Sequence, residues 1–287
     1  MSKFVNENDN HYVYLFSNFN ALNYFGKPNK IQNFRNQLSS NLPITQHTSV
    51  ALSEIIYTKS WYNVQNEHKI SLIDELGTVL NFKIDDIAVK PGYYETPDSL
   101  INELNKAMAK FPIKKTPSIS YNAKENYVYL TSGKTDYLTV FPDLGEEVEN
   151  ILGLRNRNTY IYEYDYAKKE EAKYVFKQLD VFNNDVLKGY HPCEINAGIH
   201  YLCVYCDIIT ESFTGDVKSQ LLRIVEIPRK TKFGDTVHIR YNDRNYKNLY
   251  SDKFQSIGIH IKDSSNRYIP FTSGQCTVVL HFKNNSI

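Results

Sequence analysis

Residues 256–262 read Ser-Ile-Gly-Ile-His-Ile-Lys, with Ile257, Ile259 and Ile261 alternating with Gly258, His260 and Lys262. Successive side chains of an extended chain point to opposite faces, so this period of two creates one apolar face and one wetter face. A helix would scatter the same residues around its axis. The pattern returns in residues 276–283, where Val278, Leu280 and Phe282 stand opposite Val279 and His281. Residues 199–209, 221–227 and 236–241 supply further short runs separated by turns. Strands with one buried and one solvated face satisfy themselves by packing two sheets together, so the last third of the chain is predicted to be part of a β-sandwich.

The beginning of the chain fits the same scheme. Residues 12–16 and 31–38 read as two extended pieces joined by a loop around Gly26-Lys27-Pro28-Asn29. Val50-Ala51-Leu52-Ser53-Glu54-Ile55-Ile56-Tyr57 is predicted to be a central strand, with Val50, Leu52 and Ile56 turned to the core and a break at Lys59-Ser60.

Between residues 67 and 155 the texture changes. Short strands are predicted at 69–73, 79–84 and 127–131, around two helices with their own boundary signals. Thr96 suits an N-cap and Pro97 the first helical position, after which Leu100, Ile101, Leu104, Ala107 and Met108 share a face until Phe111-Pro112 ends the helix. In the second helix Glu146 and Glu147 favour the positive end of the dipole, Val148, Ile151 and Leu152 face one side, and Gly153 closes it. Residues 1–66 are therefore assigned to the first sandwich strands, 67–155 to an α+β insertion or accessory domain, and 156–287 to the remaining strands. Within the last part, Tyr160, Tyr162, Tyr164 and Tyr166 suggest an aromatic strand face, followed by an exposed loop at Lys168-Lys169-Glu170-Glu171.

Charge and composition narrow the classes of function. The chain has 33 Lys plus Arg against 32 Asp plus Glu, a formal charge of +1, so no overall field draws it to nucleic acid or to an anionic membrane. The basic cluster Arg229-Lys230-Thr231-Lys232 is short and reads as a solvated loop. No stretch reaches the length of a membrane span, and the first apolar run, residues 12–16, is too short and wrongly flanked for a secretion signal. Four Cys in 287 residues do not make a disulfide framework, which favours a reducing compartment for synthesis. The 23 Tyr and 15 Phe suit half-wet sheet faces and interfaces, although strand propensity alone also enriches them.

Motifs that could carry chemistry do not assemble into a site. Cys203-Val204-Tyr205-Cys206, with His200 upstream, has metal-ligand spacing, but residues three apart on a strand diverge and no second pair completes four ligands. Ser132-Gly133-Lys134-Thr135 ends like a phosphate loop, yet Val128 stands where the first glycine is needed. His191-Pro192-Cys193 lacks the geometry of a thiolate–imidazole pair. The carboxylate pairs Asp85-Asp86 and Glu146-Glu147 are adjacent in sequence and do not converge. Of the eight histidines, His238, His260 and His281 are predicted on wet strand faces. No catalytic, cofactor or metal residues are assigned, and a non-enzymatic role is expected.

Several segments in order resemble the penton, or minor capsid, proteins of Polinton (Maverick) elements and the related adintoviruses and virophages. They are residues 50–57 leading to Trp61-Tyr62-Asn63-Val64; Pro91-Gly92-Tyr93-Tyr94 with residues 99–105 and Ile151-Leu152-Gly153-Leu154; and then Val204-Tyr205-Cys206-Asp207-Ile208-Ile209, Gly215-Asp216-Val217, Leu221-Leu222-Arg223, residues 269–274 and residues 279–283. One departure is Tyr246-Lys247-Asn248-Leu249, where the family pattern places Pro before Leu. The resemblance implies a mainly β protein, a jelly-roll β-sandwich with an inserted small α+β region. It also implies a structural subunit that forms a homopentamer at the fivefold vertices of an icosahedral capsid, beside a double jelly-roll major capsid protein. On that reading the protein resides in the virion, contacts no nucleic acid directly, and could meet a host-surface receptor. Trp61 and Tyr62 are the first expected interface residues. The alternative is a β-sandwich binding module in which tyrosine-lined loops recognise a glycan or a host receptor.

Overall fold

The computed structural model describes residues 10–18, 28–39, 42, 44–45, 47–74, 78–80, 82, 87–155, 186–196 and 198–284. Asp85-Asp86 and the tyrosine run from 160 to 166 lie outside the described residues. The chain forms two compact units, one made of residues 1–61 with 199–287 and the other of residues 62–198.

The first unit is a sandwich of β1 (Asn10–Phe16), β2 (Asn33–Gln37), β3 (Thr48–Thr58), β4 (Tyr201–Cys206), β5 (Leu221–Glu226), β6 (Thr236–Arg240), β7 (Ser256–Lys262) and β8 (Cys276–Asn284). One sheet has the order β1-β8-β3-β6, with Lys247–Asn248 also beside β3; the other has the order β5-β4-β7-β2. The pairings are nested: β1 with β8, β2 with β7, β3 with β6 and β4 with β5, all antiparallel. Such nesting is one long eight-stranded hairpin rolled so that successive pairs fall in alternate sheets. That is a jelly roll, and the fold is mainly β.

The core lies between the sheets. Leu15, Val50, Leu52, Ile55, Val278, Leu280 and Phe282 from one sheet meet Phe34, Leu202, Val204, Val225, Ile257, Ile259 and Ile261 from the other. Residue 56 corrects one expectation. Val50 and Leu52 face inward, but Ile55 and Tyr57 are buried next and Ile56 is half-buried. The cause is a β-bulge: Leu280 pairs with Leu52 and Val279 with Glu54, so Ser53 is the extra residue and the inward parity changes after it.

The second unit, residues 62–198, has its own apolar cluster built from short elements. Helix α1 (Pro97–Met108) begins in a capping box between Thr96 and Ser99 and buries Leu100, Ile101, Leu104, Ala107 and Met108. It ends before Phe111-Pro112, because tight turns follow: Lys110 N–H donates to the Ala107 carbonyl and Phe111 N–H to that of Met108. Asn105 fastens the helix to the strand Ser118–Asn122 by bonding both backbone groups of Ile119, at 2.8 and 2.9 Å. That strand pairs with Tyr127–Thr131, which also pairs with Val186–Lys188. The single strand predicted over 69–73 is two pieces: His68–Lys69 pairs with Ala88–Val89, whereas Ser71–Asp74 joins Thr139–Asp143 and Val79–Leu80. Helix α2 (Glu146–Leu152) closes on Gly153 at φ 70°, where an added Cβ would sit 2.0 Å from the His191 carbonyl oxygen. Only glycine fits there.

Candidate assembly surfaces

Cys193, Cys203, Cys206 and Cys276 are all buried free thiols. Burial pushes Cys193 up to about 11 and Cys206 up to about 12, and raises Cys203 and Cys276, so none is a thiolate at neutral pH. Gly133-Lys134 is a short strand paired with Thr139 and Val140, and an added Cβ at Gly133 would lie 2.6 Å from the Lys115 carbonyl oxygen. Among the described residues no three His, Cys, Asp or Glu gather as metal ligands, and no helix is long and apolar enough to cross a membrane.

The two expected interface residues occupy different settings. Trp61 is only 3% exposed, stacking on Tyr57 at 6.2 Å and meeting the Phe271 ring edge-on at 5.4 Å. It seals the sandwich in the isolated chain. Tyr62 is half-buried.

The outward face of the first sheet is aromatic along its β1 edge, where Tyr12, Tyr14 and Phe16 are exposed while Val13 and Leu15 point inward. His281, in register with Tyr12, is buried rather than wet, because Tyr12 packs edge-on at 4.6 Å and the Tyr246 hydroxyl bonds its Nδ1 at 2.8 Å. Burial, with Arg244 and Lys283 nearby, lowers its pKa, so the ring is neutral at pH 7. Further across the face, Glu54 accepts from His238 at 2.8 Å and Arg240 at 3.1 Å, and the His238 hydrogen bond leads the causes that lower its pKa.

On the outward face of the other sheet, Asp207 forms an ion pair with Arg35 and accepts from the Gly258 N–H at 2.8 Å. The pair crosses directly over Gly258, where a Cβ would meet Asp207 Oδ2 at 2.7 Å and Arg35 Nη2 at 2.8 Å. The glycine in the isoleucine-rich strand is thus a seat for a salt bridge. His260 beside it is half-buried and bonds the Tyr268 hydroxyl at 3.0 Å.

The surfaces that sequence reasoning missed lie where β4 passes to β5. A hairpin of Ser212–Thr214 and Val217–Ser219 presents Phe213 and Val217, 76% and 64% exposed. The Gly215-Asp216 turn was the available signal. An open groove of about 600 Å³ lies nearby along the sequence, lined by Leu221 to Ile224 and by Asp243 to Lys247. It joins residues from β5 to a loop after β6, a pairing that periodicity does not reveal.

No family model and no curated protein matches the chain. Among solved structures, the chain is similar to the mavirus penton protein, with a TM-score of 0.47 and 12% identity over 96% of this chain and 100% of that one. It is also similar to a chain in the structure of the Sputnik virophage, with a TM-score of 0.46 and 10% identity over 97% of this chain and 98% of that one.

Proposed function

We propose that this chain is a penton subunit: a minor capsid protein of the virion that forms a homopentamer at fivefold vertices beside a double jelly-roll major capsid protein. The carrying observation is the nested strand order of the jelly roll, an architecture recurrent in capsid domains. Segments that carry the family resemblance fall on its elements: residues 50–57 lie in β3, residues 221–223 open β5 and residues 279–283 lie in β8. The interior between the sheets is filled with aliphatic and aromatic side chains, so the surface carries the function.

A ring of identical subunits is a head-to-tail contact that closes, so one patch on each copy must match a different patch on the next. Surface aromatics such as Tyr12, Tyr14 and Phe16 supply the type of residue that desolvated contact centres use. Tyr62 belongs to this proposal as a contact residue, whereas Trp61 contributes by holding Tyr57 and Phe271 in place. The reading includes no catalysis and no direct genome contact, in keeping with the near-zero net charge.

Native mass spectrometry of the purified chain across a concentration series tests the proposal. Fivefold species, or a concentration-dependent approach to them, are expected. A strict monomer, even with the major capsid protein present, refutes it. The exposed Tyr12–Tyr14 stripe also favours a second reading, sugar stacking by a binding module, which predicts glycan-array binding by a monomer that never forms rings.

A further inference from the structure

The hairpin and the groove between β5 and the loop after β6 form a knob and a socket on one sandwich. The knob is stiff at its base: Gln220 Nε2 donates to the carbonyls of Asp207 and Ile209 at 3.0 and 2.8 Å. Its projecting part combines exposed Phe213 and Val217 with exposed Glu211 and Asp216; Lys218, the one cation, lies 5.6 Å over the Phe213 ring. The register sets Phe213 beside Lys218 on one face of the ribbon and Val217 beside Thr214 on the other, so each face carries one exposed apolar side chain next to the charges at its tip.

The socket has the opposite character. Arg223, Arg244 and Lys247 line it against a single carboxylate, Asp243, and Ile224 presents an apolar floor at 50% exposure. Both arginines are held in place. The Arg223 guanidinium lies 3.7 Å over the Tyr241 ring and donates to the Asp243 carbonyl at 2.9 Å, while Arg244 donates to the Tyr12 hydroxyl at 3.1 Å. Cations fixed in this way lose little freedom when an anion arrives.

We propose that the hairpin of one copy seats in the groove of the next, with Phe213 against Ile224 and with Glu211 and Asp216 facing Arg223, Arg244 and Lys247. A copy cannot fill its own socket, because only Gln220 separates the hairpin strand ending at Ser219 from the socket wall beginning at Leu221. The match is therefore between unlike patches of two copies, which is the contact a closed ring requires. This inference rests on the homopentamer proposed above and names its anchor.

The test measures ring population by native mass spectrometry over a dilution series, with Trp61 fluorescence confirming that each variant stays folded. Phe213→Asp is expected to raise the concentration for half-assembly by ~30-fold or more, the scale of losing one hot-spot residue. Glu211→Lys with Asp216→Lys, and separately Lys247→Glu with Arg244→Glu, should each weaken rings in the same direction. Combining all four reversals in one chain should restore assembly to within about threefold of the unaltered protein, since the charge match is re-formed with signs exchanged. Lys247→Glu alone serves if Arg244→Glu disturbs Tyr12. Rings that form normally in the Phe213→Asp and charge-reversed chains overturn the hairpin contact and leave the pentamer standing. Normal rings with lost binding to the major capsid protein overturn it too and assign the hairpin to that partner. Absence of rings in the unaltered protein, with the major capsid protein present as well, removes both readings.

Discussion

The jelly roll and the 62–198 unit bury apolar side chains by different means. In the sandwich, β3 and β8 run 11 and 9 residues, and side-chain parity, reset once at the Ser53 bulge, decides which side chains enter the core. In the 62–198 unit, the described strands are two to five residues long, so helix caps and tight turns must do what long ladders do elsewhere. Two carboxylates illustrate the difference. Glu54 lies on an outer sheet face, where His238 and Arg240 favour its charged form. Glu149 is enclosed beside Asp143, where burial pushes its carboxyl up to about 7 although Arg155 opposes the shift. One carboxylate is held charged by its neighbours on a sheet face; the other is pushed toward its neutral form beside a helix.

The largest test of the contrast is Phe282→Ala. Phe282 is 1% exposed in the sandwich core, and its truncation should cost about 3–5 kcal/mol. Trp61 is the sole tryptophan, and it is buried in the sandwich, so its fluorescence midpoint should fall sharply in urea. A shift below about 1 kcal/mol would mean that the interior collapses around the loss.

Leu104→Ala removes a fully buried side chain from the other unit and should cost about 2–5 kcal/mol. If the two units unfold separately, amide protection over Pro97–Met108 is lost first while the Trp61 transition stays put. An equal shift of the Trp61 signal would show that both melt as one.

The third test is pH. For Glu149 the folded pKa lies above that of the unfolded chain, so its favourable contribution is full below about 4.5 and disappears as pH rises through about 7. Amide protection of α2 should therefore weaken by on the order of 3 kcal/mol across that range, and Glu149→Gln should flatten the profile. Glu54 has the reverse sign: its contribution is present above the ordinary carboxylate pKa and is lost as pH falls through its lowered folded value. Lowering the pH from 7.5 to 4.5 should thus tighten α2 while leaving the Glu54–His238–Arg240 face in place, and only further acidification below the ordinary carboxylate range should loosen that face, so hydrogen exchange followed from pH 7.5 to below 4 would separate the two.

The smallest effect of substance is Thr96→Ala. Loss of the capping box should cost ~1 kcal/mol and be confined to α1. Restoration by Ser at the same position would attribute the loss to the hydroxyl.

Much of the local structure was legible. The strand Tyr127–Thr131, the cap at Thr96 and the closing role of Gly153 follow from patterns within a few residues, and all three occur as expected. Failures arose where distant residues intervened. His281 was expected to be wet, but Tyr12 and Tyr246, remote in sequence, cover it. Ile56 was expected in the core, but the pairing of β3 with β8 inserted a bulge at Ser53. Gly258 gave no hint of purpose until Arg35 and Asp207 met above it. The candidate contact surface was the least legible: Arg223 and Arg244 become one socket only because β5 and the loop after β6 come together.

By itself, then, the sequence determined that the chain would be mainly strands with alternating faces, interrupted by two capped helices, because period, caps and turns act over a few residues. Tertiary structure alone decided the nested pairing, the change of parity at Ser53, the burial of Trp61 and His281, and the meeting of Arg223 and Arg244 along one groove. Most of those outcomes depend on which edges and faces meet across long stretches of chain, and hydrogen-bond pairing between strands carries no local mark of its partner.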